Sequence, residues 1–422
     1  MSIAENKKEC NQERKQEHEV KKPPFLLYTV PIFLVRAFAK LYWKLRIDNK
    51  EIKNLKEPAL AIAPHMSTLD VVPTMCTLFP HKYNIVAAKD LFTWKQLKPF
   101  IEKFGAIPMT QCAMDLNSLR TIKAASDNGR SILLYPEGRT SLDGRQLYYL
   151  NPSIGKLIKF LGLSVVLVKT YGAYVTKPRY IKGFRRGKME SKASILLTKE
   201  QVKALSPTEI YKIVADSFVI NDNVWQQEND IKFKAKCLAS NLNYILYKCP
   251  RCGAEYENTV SGDTLKCNAC GNTVKYTPNG HLVPIGDGIS IDRIDLWMDY
   301  EKESVIEETE REGFCLSKEV TALCRNDETR EYENVGEGEL FINKEIIGYR
   351  GVINGAFAEM ELPLKNMPTV ITKNTEAIEL TFDNLTYRFM FKEKKYSTKY
   401  GLIVEALYAK NHNIPFTEKS LI

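Results

Sequence analysis

Ala59-Leu60-Ala61-Ile62-Ala63-Pro64-His65-Met66-Ser67-Thr68-Leu69-Asp70 is the stretch on which the reading of this chain turns. Ala59 to Ala63 is a short apolar run bounded by prolines, the pattern of a strand buried on both faces. His65 leaves its C-terminal end, and Asp70 follows five residues later. A carboxylate at that spacing can hold one ring nitrogen, fix the tautomer and raise the basicity of the other nitrogen. The same residues also fit Ser67-x-x-Asp70 as a capping box, in which Asp70 would only satisfy a helix N-terminus.

Outward from there, apolar runs alternate with amphipathic stretches. Strands are expected at 59–63, 84–88, 131–135, 165–169 and 194–197, and helices near 67–79, 94–104, 116–128 and 153–161. This is the alternation of an α/β domain, a mixed sheet with flanking helices, expected over 51–240. Ser206-Pro207-Thr208-Glu209 supplies an N-cap, a proline at the first helical position and a capping glutamate for one more helix.

The run from Ser131 to Tyr135 ends in Pro136-Glu137-Gly138-Arg139-Thr140-Ser141. A glycine turn with a guanidinium and two hydroxyls at a strand end suits a phosphate ester, through the planar donor fork of arginine and nearby N–H groups. An ordinary charged turn would look the same. Taken together, His65-x4-Asp70, the block Lys89–Met109 and Tyr135–Ser141, in that order, resemble the glycerolipid acyltransferases, the family that includes 1-acylglycerol-3-phosphate acyltransferase. The resemblance covers roughly residues 25 to 225, about half of the chain.

The resemblance implies that His65 is a general base toward the acceptor hydroxyl and that Asp70 orients it. It implies that Glu137, Gly138, Arg139, Thr140 and Ser141 bind the acceptor. It implies a fatty acyl group moved from a thioester, acyl-CoA or acyl carrier protein, to a lysophospholipid, 1-acylglycerol 3-phosphate first. Glycerol 3-phosphate or another lysolipid is the alternative acceptor. A non-enzymatic membrane scaffold is the alternative from another class. Three departures stand out: Arg139 precedes Thr140 where the family has Thr-Arg, Gln111 stands where an arginine is usual, and Leu163 to Val168 lacks the usual proline.

The chain has 422 residues, enough for two or three domains. Its 60 Lys and Arg against 51 Asp and Glu give a net charge of +9. The positive charge is concentrated in Lys177, Arg179, Lys182, Arg185, Arg186 and Lys188, while the last third is acidic. A basic face of this kind favours an anionic membrane surface. It lacks the interleaved aromatics of a single-strand nucleic-acid groove, so no nucleic-acid partner is expected. Residues 1–22 carry both signs of charge and are expected to be a disordered tail without a secretory signal. Residues 23–50 contain an apolar stretch interrupted by Arg36 and Lys40, too short to span a bilayer. It is expected to lie in the interface as a helix, placing the protein on the cytoplasmic face of a membrane, peripheral or monotopic. A helix packed on the enzyme core is the other reading.

Cys249-x2-Cys252 and Cys267-x2-Cys270 are separated by fourteen residues. Four thiolates at this spacing are expected to hold one structural zinc ion in a closed tetrahedral site, within a ribbon over 245–280. Disulfides are disfavoured in a chain with no export signal. Residues 285–422 read as mostly β, ending in a helix from Ser397 to Lys410. A strand series closed by one helix resembles, in topology only, the barrel-like pleckstrin-homology fold.

Overall fold

The structure, a computed structural model, describes residues 25–94, 96, 98–110, 116–326, 331–373, 376–383, 385–393 and 395–417. The tail 1–22 and residues Gln111 and Cys112 lie outside the described residues.

Seven strands make the first sheet: β1 (Arg46–Asp48), β2 (Ala59–Ile62), β3 (Tyr83–Ala88), β4 (Ile107–Met109), β5 (Ser131–Leu134), β6 (Ser164–Tyr171) and β7 (Glu190–Leu197). Their order is β1-β7-β6-β2-β5-β3-β4. β2 lies between β5 and β6 and is parallel to both, so all four of its residues are buried. Its alternate side chains serve two cores. Leu60 and Ile62 pack with Ile122, Ile154 and Val214, while Ala59 and Ala61 face Tyr28, Ile32 and Met75. β6 and β7 run antiparallel, which makes the sheet mixed as expected. The sequence reading missed β1 and β4, edge strands of three residues each. The helix at Pro207–Ser217 starts with the expected reciprocal cap between Ser206 and Glu209.

A second, four-stranded antiparallel sheet carries the cysteines: β8 (Asn258–Ser261), β9 (Thr264–Cys267), β10 (Thr273–Tyr276) and β11 (Leu282–Pro284). The chain from residue 285 is mostly β, as expected, but a 17-residue helix that the sequence reading missed, Ile294–Glu310, comes first. Ile294, Trp297, Met298 and Val305 are its apolar face. Asp295, Asp299, Glu301 and Lys302 are buried beside them and mask the stripe.

The third sheet holds β12 (Cys315–Arg325), β13 (Tyr332–Asn343), β14 (Ile346–Ile353), β15 (Ala356–Pro363), β16 (Ile371–Lys373), β17 (Ala377–Phe382) and β18 (Leu385–Phe391). Two antiparallel meanders meet through β12 and β18, in the order β15-β14-β13-β12-β18-β17-β16. Among the described residues no ladder joins β15 to β16. The sheet is therefore open at both edges rather than closed by hydrogen bonds into a barrel.

The helix Ser397–His412 follows, and every residue from Ser397 to Ala409 is buried. A helix buried all round lies between layers rather than on a surface. Thr398 donates to the Tyr244 carbonyl at 3.0 Å, and Lys399 pairs with Glu255 of the ribbon and Glu308, each at 2.7 Å. One buried cluster accordingly runs through Tyr174 and Val175, Leu265 and Val274 of the ribbon, Val320 and Phe389 of the third sheet, and Ile403 and Leu407 of this helix.

Candidate active site

His65 and Asp70 come together at the C-terminal end of β2. His65 Nδ1 lies 3.0 Å from Asp70 Oδ2, so the ring N–H donates to the carboxylate and the tautomer leaves the Nε2 lone pair free. Among the described residues nothing hydrogen-bonds Nε2, and the imidazole is about one-fifth exposed. The ring stacks on Tyr135, centroids 4.5 Å apart.

The same Oδ2 accepts the Ser67 N–H at 2.8 Å, while the helix Val71–Leu78 starts after Asp70 without a cap hydrogen bond from its side chain. Burial pushes the Asp70 carboxyl above its usual range, against the lowering pull of His65 and the Ser67 and Met66 amides. Behind it, Asp222 accepts the Tyr174 N–H at 2.9 Å, and burial is the main reason its carboxyl is pushed up to about 7.

The two motifs are stitched to each other. The Glu137 carboxylate accepts the His65 N–H on one oxygen and the Leu147 N–H, at 2.8 Å, on the other. The Ser141 N–H returns to the His65 carbonyl at 2.8 Å. Tyr135 to Gly138 is a tight turn, with the Gly138 N–H on the Tyr135 carbonyl at 3.2 Å and proline at the second position. Gly138 closes it at a φ of +71°, where a side chain is strained.

A cavity of about 1770 Å³ opens beside His65. Glu137, Gly138, Arg139 and Thr140 contribute to its wall, and Ile85, Leu91, Trp94, Met109, Leu157 and Phe160 make much of it apolar. The opposite wall comes from the third sheet and its loops, through Tyr332, Leu362, Met367, Thr372, Lys373 and Arg388. Asp90, near the start of the second block, fastens that wall by ion pairs to Arg325 at 3.2 Å and Lys373 at 2.9 Å.

Three sequence expectations change here. Ser141 is not in the wall: it is 2% exposed, and its hydroxyl donates to the Arg145 carbonyl at 2.6 Å, so it shapes the loop. Arg139 is not a free fork, because Glu405 of the C-terminal helix pairs with its Nη2. The basic run is only partly a surface. Arg185 is 1% exposed and donates to the Leu238 and Val175 carbonyls, Arg179 reaches the cavity, and the Lys177 ammonium rests on the carbonyls of Ile181 and Lys182. Lys182 and Arg186 are its exposed members.

The four ribbon cysteines converge as expected. Their sulfurs all lie within 4.8 Å of one another, with Cys249–Cys270 at 3.7 Å and Cys252–Cys267 at 3.8 Å. A tetrahedron of thiolates about 2.3 Å from a central ion has edges of about 3.8 Å, so the set fits a tetrahedral divalent metal. Gly253 and Gly271, at φ +73° and +76°, make the turns that bring each pair round.

The N-terminal helix Phe25–Tyr42 packs one face on the core and leaves another exposed. Tyr28, Ile32 and Ala39 are buried on the core, and the Tyr28 hydroxyl donates to the His81 carbonyl at 3.2 Å. Val30, Phe33, Leu34, Phe38 and Leu41 remain exposed. No helix of the described residues is long and apolar enough to cross a membrane.

The site thus consists of an imidazole held by a buried carboxylate next to a large, mainly apolar cavity in an α/β domain. Residues 44–169 match the sequence model of the family described as Acyltransferase, and this part of the chain is an acyltransferase-family domain. Among solved structures, the 1-acyl-sn-glycerophosphate (LPA) acyltransferase PlsC from Thermotoga maritima is similar over 44% of this chain and 76% of its own, at 19% identity and a TM-score of 0.38. The Ran-binding domain of Nup2 from Ashbya gossypii is similar over 24% of this chain and 95% of its own, at 17% identity and a TM-score of 0.18. No curated protein matches the chain.

Proposed function

We propose that the protein transfers a fatty acyl group from a thioester, acyl-CoA or acyl carrier protein, to the free hydroxyl of a lysophospholipid. The favoured acceptor is 1-acylglycerol 3-phosphate, which becomes phosphatidic acid. The observation that carries this reading is the 3.0 Å contact of His65 with Asp70 at the edge of a large apolar cavity, within the acyltransferase-family segment. His65 Nε2 takes the proton of the acceptor hydroxyl as its oxygen attacks the thioester carbonyl. Asp70 holds Nδ1–H and stabilises the imidazolium that forms. The new ester C–O bond forms, the C–S bond breaks, and the proton passes to the departing thiolate. No acyl-enzyme intermediate is needed. Purified protein should acylate 1-acylglycerol 3-phosphate in a panel of lysolipids offered with both donor types and read by lipid mass spectrometry. Absence of transfer to every acceptor would refute the reading.

The four-thiolate set is assigned to a structural zinc ion. It leaves no open coordination position, so no catalytic step is routed through it.

The exposed face of the N-terminal helix is assigned to an anionic membrane surface. Its polar end supports this. Trp43 packs against the exposed Phe184 with centroids 5.8 Å apart, and Arg186 lies over the Tyr42 ring at 5.4 Å, so aromatic and cationic groups meet there. Deleting the helix would also strip Tyr28 and Ile32 from the core, so substitutions on the exposed face make the cleaner test. Leu34→Glu with Leu41→Glu removes two side chains whose burial is worth about 1.5–3 kcal/mol each. Binding to anionic vesicles in a flotation assay should fall at least about tenfold with the melting temperature unchanged. Equal flotation would exclude this face as the anchor.

A further inference from the structure

Two arginines from separate parts of the first domain line the cavity together with His65. Arg139 follows the Gly138 turn. Its Nη2 is paired with Glu405, which also accepts the Thr369 hydroxyl at 2.8 Å. Its Nε has no partner among the described residues, although the residue is only 8% exposed. Arg179 follows the short helix Ala173–Thr176 that comes after β6. Its Nη2 donates to the carbonyl of Thr372 on β16 and, at 2.7 Å, to the Thr372 hydroxyl. Among the described residues no carboxylate forms an ion pair with Arg179.

Glu405 pairs with Arg139 and not with Arg179. Burial first, and the charge of Arg139 second, lower the Arg179 pKa to about 10, with Glu405 only partly offsetting them. A guanidinium held against a like charge in a buried wall is costly unless an anion joins it. An arginine needed only as a strap between domains would be as well placed beside a carboxylate, as Arg145 is between Asp143 and Asp299, at 2.7 Å from each. The guanidinium fork matches phosphate oxygens, and a phosphomonoester carries close to two negative charges near neutral pH.

We propose that Arg139 and Arg179 form one clamp for the phosphomonoester of the acceptor, and that the C-terminal part of the chain aims it through Glu405 and Thr372. The clamp rests on the acyl-transfer reading for its place in the reaction but not for its ligand chemistry. The headgroup phosphate lies between the two guanidinium groups, which directs the glycerol hydroxyl toward His65 and the acyl chain along the apolar wall. Glu405 and Thr372 are positioning residues. They hold one nitrogen of each arginine and leave the others to the ligand.

The test uses the full chain with Arg179→Gln and Arg179→Lys, two probes and two acceptors. Calorimetry measures binding of sn-glycerol 3-phosphate and of inorganic phosphate. Steady-state kinetics compare 1-acylglycerol 3-phosphate with uncharged 1-acylglycerol. Arg179→Gln should weaken glycerol 3-phosphate binding and raise KM for the phosphorylated acceptor by roughly ten- to a hundredfold, the range of a lost charge-assisted fork. The donor KM and turnover of 1-acylglycerol should stay within about twofold. Arg179→Lys keeps the charge but loses the fork, and should recover part of the binding. It also stands in should the glutamine variant fail to fold. Unchanged binding and unchanged KM in either folded variant would overturn the clamp. Binding of inorganic phosphate that depends on Arg179, with no effect on acceptor KM, would assign the pair to free phosphate and overturn it equally. If the parent protein acylates no lysolipid, the proposed function fails, and the glycerol 3-phosphate titration still decides the clamp.

Discussion

His65→Ala should lower acyl transfer by roughly 10²–10⁴-fold, the usual contribution of a positioned general base, with little change in melting temperature. The expectation of an intact fold comes from how the residue is held. Its backbone N–H and carbonyl bind Glu137 and Ser141 whatever the side chain is, and the imidazole itself hydrogen-bonds Asp70 and stacks on the Tyr135 ring. Loss of activity without loss of stability would therefore report chemistry. Asp70→Asn separates orientation from mere presence. His65 Nδ1 and the Ser67 N–H both meet Oδ2, so an asparagine with its oxygen there keeps both bonds to an uncharged and weaker acceptor, and one with its amide there loses both and favours the tautomer that puts the proton on Nε2. Turnover should fall while the acceptor KM changes little. Undiminished turnover by His65→Ala would sink the base assignment, and undiminished turnover by Asp70→Asn would reduce Asp70 to its hydrogen bond with the Ser67 N–H.

What the sequence made legible was local. β2 could be read because four consecutive buried residues leave an unbroken apolar run. The cysteine pairs could be read because each is made by one turn. His65 and Asp70 could be paired because five residues separate them at a strand end. The Glu137 bridge to the His65 amide was not legible, since it spans 72 residues and ends on a backbone group. The partner of Arg139 lies 266 residues away on a helix whose charged residues look like a solvated face. Burial of that helix follows from three layers meeting around it, and no local pattern records this. Arg179 was misplaced for a related reason. In a run of cations each one reads as surface, whereas the fold turns Arg185 inward, Arg179 into the cavity and Lys177 onto carbonyls. The helix Ile294–Glu310 is a different failure. Ile294, Trp297, Met298 and Val305 carry the helical spacing, but the buried acids between them hide it.

Loss of the metal should therefore reach well beyond the ribbon. The sequence alone suggests a ribbon that could unfold and leave the catalytic part partly active. The structure joins them too closely for that. The Trp297 indole donates to the Lys248 carbonyl at 3.0 Å, the Tyr300 hydroxyl to the Cys249 carbonyl at 3.3 Å, and Lys399 of the C-terminal helix pairs with Glu255 at 2.7 Å. Leu265, Val274 and Tyr276 of the ribbon belong to the same buried cluster as Tyr174 and Ile403. A structural zinc ion contributes about 10–16 kcal/mol of apparent binding energy, at least as much as the about 5–15 kcal/mol that holds a typical domain folded. Without it the segment has no core of its own to remain on. Its collapse would unseat the helix that carries Glu405 and, through it, Arg139. The parent protein should contain one zinc ion per chain by elemental analysis. Cys267→Ser, or chelation under mild denaturant, should abolish binding of that ion, lower the melting temperature of the whole protein in one transition and remove acyl transfer with it. Two separate transitions, with activity surviving the first, would instead show that the ribbon is an independent unit and that the shared core transmits nothing to His65.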